Sequence, residues 1–484
     1  MKLSLEELGS RLIIRRSSQT FMALAELLRE TGATAVFFNN LYDPISMVRD
    51  HSVKQSLTSF QIPFYTFNSD LLFEPWDVLD SKSQTLSCFE DFWSHCRSHY
   101  RQPALPVPGP GRLPTVPMTL TSIDVEDLGL VLPEEKAYLD VLTYRWSPGE
   151  AASASKVKNF MRNAILNFDA DENKADRSGT SQLSPHIHYG EVSVRLLWHL
   201  SYQIEAEYTQ HGIDSEKSFA KFRRHLGLRD YSRYLSYHYP YTHERAMLQH
   251  LQACPWRYNK EHFRAWQEGK TGYPLVDAGM RELAANSWIN NRLRRLTASF
   301  LIKTLLLPWQ WGLKYYWDAL LDADIEQDSL GWQYVSGGIV DGLSFDTIDD
   351  YDFEGRQIDP DGVYIKHWIP ELTNMPSEYI HSPWKAPQHI LESAGVCLGP
   401  NGNYTYPLVL PAEAQSRVEK ACRVIEEVMS QQITNDTMQE ESAQVVLPEY
   451  PQDSNHTTCN VPVQSDSAGM SAGICELVVP TIQL

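Results

Sequence analysis

Long apolar runs are missing from this chain. A helix needs about 18 consecutive apolar residues to cross a bilayer, and the best stretch, Leu296 to Trp311, is interrupted by Lys303 and Pro308, so a membrane span is not expected. The opening residues, MKLSLEELGSRLIIRR, hold neither a continuous apolar core nor a small-residue cleavage site, so secretion is not expected either. Cysteine is sparse: Cys88, Cys96, Cys254, Cys397, Cys422, Cys459 and Cys475 are scattered without a C-x-x-C. That spacing argues against a disulfide scaffold or a zinc ribbon and predicts reduced thiols in the nucleus or cytoplasm. Neither G-x-G-x-x-G nor a P-loop occurs, so no local phosphate-binding loop identifies a nucleotide. Positive charge is in deficit, with 42 Lys and Arg against 61 Asp and Glu for a formal net charge of −19. The deficit opposes constitutive binding along a phosphate backbone, although it does not exclude a local basic groove.

Tryptophan, by contrast, is plentiful, at 13 in 484 residues, with 42% of the chain hydrophobic. The length suffices for two domains with substantial cores. Between residues 17 and 100 helix-like and strand-like pieces alternate. FMALAELLRETGA has helical apolar spacing and a terminal Gly, and the β-rich TAVFFNN follows it. SMVRDHSVKQSLTSF and IPFYTFNSD repeat the pair, which predicts a parallel, Rossmann-like α/β layer over residues 1–101. Six prolines between Gln102 and Pro117 mark a connector, taken as residues 102–132. From 133 to 430 the pattern is helical: EEKAYLDVLTYRW, SKVKNFMRNAILNF, VSVRLLWHLSYQIEAEY and MRELAANSWINNRLRRLTASFLIKTLLL all place apolar residues at i, i+3 and i+4. The last 54 residues, 431–484, carry seven Asp or Glu and no Lys or Arg, which predicts a disordered acidic tail.

Longer strings carry more information. SQLSPHIHYGEVSVR, GLRDYSRY, TGYPLVDAGMREL, PWQWGLKYYWDALLDADIEQDSLGWQYVSG and SEYIHSPWKAP resemble the photolyase and cryptochrome family. NNLYDPISMVRDHSVK, NSDLLFEPW and YRWSPGE are similar to its plant cryptochromes. The resemblance covers about residues 20 to 425. It implies an N-terminal α/β domain and an all-α domain holding FAD. It also implies ATP near the flavin and leaves an antenna pterin open. Family members have a strand, a helix and a second strand ahead of the position where this chain starts, so the α/β layer is expected to lack that opening segment.

Several motifs have two readings, one from the residues alone and one from the resemblance. Thr180, Ser181, Gln182, Leu183 and Ser184 read as an ordinary helix cap, whereas the resemblance makes them contacts of the FAD diphosphate. Phe168 stands where the family has a Tyr on the same phosphates. The acidic run with Asp322, Ala323, Asp324 and Asp328 would otherwise be a solvated turn. By resemblance, Asp322 pairs with Arg294 over the isoalloxazine ring, Asp324 lies at its polar edge, and Asn291 and Arg229 are further flavin-proximal positions. Asp328 matches the position facing flavin N5, where only a protonated carboxyl could donate a proton. Trp332, Trp309 and Trp256 read alone as core aromatics. They match the family's electron relay, with Tyr334 as an auxiliary donor.

Repair members of the family place a Glu and a Trp where this chain has His225 and Leu228, which argues against dimer repair. His186 and His188 lack further ligands at metal-binding spacing, so no metal is expected. Lys221, Arg223, Arg224, Arg229, Arg292, Arg294 and Arg295 outline either a basic groove or a solvated face that also supplies flavin-pairing arginines. In the tail, VVLPEYP, NVPVQSD and LVVPTIQL resemble Val-Pro receptor motifs only faintly. The expectation is a blue-light photoreceptor of nucleus and cytoplasm that self-associates when lit and engages transcription factors and ubiquitin-ligase components. Growth responses to light and circadian timing are the implied outputs, with DNA binding weak or absent. The alternatives are a light-dependent pyrimidine dimer photolyase and a non-photoactive interaction protein.

Overall fold

The computed structural model describes residues 1–100, 102–132 and 135–439. Helix α1, Thr20–Thr31, stops where Gly32 turns left-handed at φ 65°, a backbone setting that glycine adopts without steric cost. Strand β1, Val36–Asn39, follows, then helix α2, Pro44–Ser59, then strand β2, Phe64–Phe67. Proline at the first turn of α2 and the Asp43 carboxylate accepting from Ser46 N at 2.8 Å start that helix, two residues ahead of the string SMVRDHSVKQSLTSF read as helical. The strands are parallel, with Val36 opposite Phe64 and Asn39 opposite Phe67, and α2 is the crossover between them. Among the described residues these two strands make the whole sheet.

Beyond the sheet the chain is helical. Helix α3, Phe89–His99, packs on the long helix α4, Glu216–His238. Later elements that position the site are α5, Lys260–Gln267; α6, Asn291–Ser299; α7, Trp309–Ala319; and α8, Ile325–Ser336. The final helix, α9, runs Pro411–Gln439, so its last turns occupy the first residues of the segment expected to be a disordered tail. The rest of that tail, with its Val-Pro elements, lies outside the described residues.

Two apolar cores organise the fold. One gathers Trp266, Leu296, Phe300, Trp309, Tyr316, Trp332 and their neighbours. The other joins Leu72, Phe89 and Trp93 to Phe160, Trp198, Phe222, Tyr231 and Tyr234. It therefore crosses the expected connector, and Met1–Glu426 forms a single compact unit. The apolar run 280–307 is not one helix. It breaks at Ser287, whose φ of 51° is left-handed. The chain restarts when the Asn290 side chain accepts from Arg292 N at 2.8 Å. This break, unmarked by Gly or Pro, gives α6 its start and sets the direction of Arg294. Past α6 the backbone widens into a π-helical turn at Phe300–Thr304.

Candidate functional site

Helix α8 begins the site. Asp324 is its N-cap, accepting from Gln327 N at 3.0 Å, and Asp328 and Trp332 follow at successive spacings of four. Such spacing places the three side chains on one face of the helix. Asp328 is 5% exposed and Trp332 2%. The Asp324 N–H donates to Asp328 Oδ2 at 2.9 Å, and Arg294 Nη1 lies 3.5 Å from Asp328 Oδ1. Burial pushes the Asp328 carboxyl up to about 7, against the pull of Arg294. Arg294 is committed more closely to Asp322, donating from Nη2 at 3.0 and 3.2 Å. The expected grouping of Arg294, Asp322 and Asp328 is therefore present.

Asp324 has different partners. Arg233 grips both of its oxygens, with Nη1 3.1 Å from Oδ1, and His188 Nδ1 stands 3.5 Å from Oδ2. Burial alone would raise this carboxyl, but Arg233, His188 and Arg229 outweigh it and hold Asp324 well below the usual range. Arg233 also reaches Asp70 at 3.2 Å, and Asp70 is in turn held by Arg229 through its carboxylate and, at 2.6 Å, its carbonyl. Arg229, expected beside the flavin, thus ties the loop after β2 to α4. Neither Arg233 nor Asp70 was singled out from the sequence. The signal was available, because Arg229 and Arg233 are one helical turn apart in GLRDYSRY.

The remaining expected contacts approach from the segment before the short helix Ser184–His188. Ser184 Oγ accepts from Trp288 Nε1 at 3.1 Å, and Ser181 Oγ accepts from Leu183 N at 3.3 Å. Gln182 adopts a left-handed φ of 50°, Leu183 is fully buried, and Thr180 is partly buried. Through Ser184–Trp288 and His188–Asp324 this segment is fastened to the turn ahead of α6 and to α8. His188 is therefore a partner of Asp324, and no metal-holding cluster occurs among the described residues. Ala323 is partly buried against the larger core. Phe168 and Asn291 complete the expected set. The Phe168 ring is buried edge-on to Phe160, Phe222 and His225, as a core aromatic. Asn291 is exposed, and its neighbour Asn290 does the capping.

Trp332 and Trp309 are both buried in one core, on the packed helices α8 and α7, and Trp256 is partly buried against it, edge-on to Phe345. Tyr334 packs on the same core. A Cβ added to Gly312 would lie 2.0 Å from the Trp332 ring, so the absence of a side chain on α7 makes room for that indole.

The residues present fit a flavin. Arg294 Nε and Ser329 Oγ, one residue beyond Asp328, are buried without a hydrogen-bond partner in the chain. With the Asp328 carboxyl, raised by burial to about 7, they are buried groups that can donate near α8. A flavin ring offers acceptors for such donors, whereas an apolar ligand would leave them unsatisfied.

Residues 222–424 match the family described as the FAD binding domain of DNA photolyase, and residues 1–110 match that described as DNA photolyase. The chain is 43% identical over 419 residues to Cryptochrome-1 of Arabidopsis thaliana, covering 86% of this chain and 61% of that one. It is 42% identical to Cryptochrome-2 of the same plant, covering 86% and 70%. The solved class III photolyase from Agrobacterium tumefaciens superposes with a TM-score of 0.83 at 32% identity, covering 88% of this chain and 86% of that one.

Proposed function

The chain belongs to the photolyase and cryptochrome family, and from that premise we propose that it is a blue-light photoreceptor that carries FAD in its helical part. Bound FAD supplies blue-light absorption and an electron-accepting ring. Arg294, Asp322, Asp324 and Ser329 would hold it, with Thr180, Ser181, Gln182, Leu183 and Ser184 toward its diphosphate. The observation that carries the reading is the pairing on α8 of a buried carboxyl and a buried indole one turn apart. Burial penalises ionisation of Asp328 and raises its carboxyl to about 7, so that at neutral pH a share of the molecules carries a proton there. Trp332 is an oxidisable side chain sealed from solvent. Trp309, and Trp256 nearer the surface, can replace an electron that Trp332 gives up.

The rival reading is light-driven repair of DNA, favoured by the likeness to the Agrobacterium photolyase. Most of the basic residues that would outline a DNA groove, Arg295 excepted, are engaged within the chain. Arg223 pairs with Glu205, Arg224 with Glu90, Lys221 with Asp169 and Glu172, and Arg292 with Glu354. His225, at the position of the repair carboxylate, sits 3.1 Å from Glu172, and Leu228 packs into the second core. Those pairings support a sensor over a repair enzyme. On this reading the lit protein changes charge at the Asp328 site and thereby shifts a conformational equilibrium. Self-association and recruitment of transcription or ubiquitination partners, in nucleus and cytoplasm, are its outputs, with ATP bound close to the flavin.

The test is Trp332→Phe. It should retain flavin and lose photoreduction under blue light, while wild-type protein should leave dimer-containing oligonucleotide unrepaired. Photoreduction unchanged in that variant, or loss of dimers under light, would refute the proposal.

A further inference from the structure

The strip that follows Trp256 carries positive charge without an internal partner. Arg257, Tyr258, Asn259, Lys260 and Glu261 line an open surface hollow of 640 Å³. Arg257 and Lys260 are exposed, and neither forms an ion pair among the described residues. His262, two residues further on, feels the same charge. Burial first, then Arg417 and Arg257, hold its imidazole below the ordinary value, against Glu261 and Glu413. Arg417 reaches in from α9, where it pairs with Glu413 while its Nη1 is buried without a partner. Arg257, Lys260 and Arg417 thus outweigh Glu261 and Glu413 in a molecule whose formal net charge is −19.

The backbone beneath this charge is pinned at both ends. Arg257 N–H donates to Leu306 O at 2.8 Å. The Asn259 side chain accepts from Glu261 N at 3.0 Å and from His262 N at 2.9 Å, which starts α5. Between them Tyr258, 71% exposed, lies edge-on to Trp311 with centroids 5.8 Å apart. The hollow therefore holds its cations at a set place, directly after the residue by which the expected relay nears the surface. Trp256 itself is partly exposed, edge-on to Phe345 at 6.0 Å.

Resting on the photoreceptor reading, we propose that Arg257 and Lys260 dock a small anionic reductant, a monoanionic enediol, beside Trp256 and so select the donor that refills the relay. Trp256, having given one electron inward to Trp309, is left as an indole radical cation. The docked enediol monoanion gives it one electron, which restores the indole. The reductant releases its remaining enediol proton to water and leaves as a radical anion. The guanidinium and the ammonium act in two ways. They concentrate an anion that the field of the whole chain otherwise repels, and they favour the ionised enediol, whose electron is easier to remove than that of the neutral form. A neutral thiol gains neither advantage.

The experiment uses flavin-loaded full-length protein. After a light flash, the decay of the tryptophan radical is followed with ascorbate, or with dithiothreitol, which is uncharged near neutral pH, as the donor. The ratio of the ascorbate to the dithiothreitol rate constant should fall about tenfold in Arg257→Gln/Lys260→Gln, and in the wild type it should fall as salt rises. Arg257→Glu/Lys260→Glu should shift the preference from ascorbate toward cysteamine, a cationic thiol. In the dark, saturation-transfer NMR should detect ascorbate on the wild type and not on Arg257→Gln/Lys260→Gln. Both side chains are exposed, so the changes spare the fold, and an unaltered flavin spectrum checks it. A rate ratio indifferent to the substitutions and to salt, or dark binding that persists in Arg257→Gln/Lys260→Gln, overturns the proposal. A wild type that no donor can photoreduce would instead overturn the photoreceptor reading, so the two failures are distinguishable.

Discussion

Asp328→Asn keeps the shape of the side chain and an oxygen to accept from Asp324 N, but it cannot ionise. In the folded chain burial lifts the Asp328 carboxyl from its ordinary 3.8 to about 7. The folded state therefore binds this proton more tightly than the unfolded state. The stability it contributes is fully present below pH 3.8 and is lost as pH rises through about 7. The full difference corresponds to about 4 kcal/mol, of which about 2.5 kcal/mol is lost between pH 5 and pH 8. Asp230 and Glu326, also raised to about 7 by burial, add slopes of the same sign to both proteins and cancel in the comparison. The assay is urea denaturation of flavin-stripped protein across that pH range. Asp328→Asn should gain on the wild type steadily with rising pH, by about 2.5 kcal/mol in all. Parallel curves would refute the reasoning. So would a difference of opposite sign, which would mean that Arg294 outweighs burial and keeps Asp328 ionised.

Gly312→Ala should cost about 1–3 kcal/mol, because its Cβ cannot be accommodated without moving Trp332, and thermal denaturation would register the loss. An unchanged melting temperature would contradict the packing described for that indole. Arg233→Met should destabilise by about 3–5 kcal/mol, since it leaves the carboxylates of Asp324 and Asp70 without their shared cation, and the urea midpoint would fall accordingly. A second change, Asp324→Asn, should return part of that loss.

How much of this was legible in the residues depended on the range of the interaction. The strands at Val36–Asn39 and Phe64–Phe67 and the helices before them could be read directly, because local apolar and β-rich patterns and the Gly32 signal fix them. Arg294, Asp322 and Asp328 were identified by resemblance, and the fold does bring them together. Pairings across the chain were not legible. Arg233 meets Asp324 and Asp70 from 91 and 163 residues away, and nothing in the local pattern announces either partner. The turn at Ser287 went unmarked because a serine seldom takes the left-handed backbone that a glycine there would have signalled, although that backbone ends one helix and lets Asn290 start the next. Phe168 was matched to a cofactor position by resemblance, and its packing against Phe160 and Phe222 could not be read from the local pattern.

The most direct test of the central claim is the absorption spectrum of the purified chain before and after blue illumination. Oxidised-flavin bands that bleach in the light and recover in the dark are the predicted result. A folded protein that emerges colourless, or whose flavin bands are indifferent to light, would contradict it.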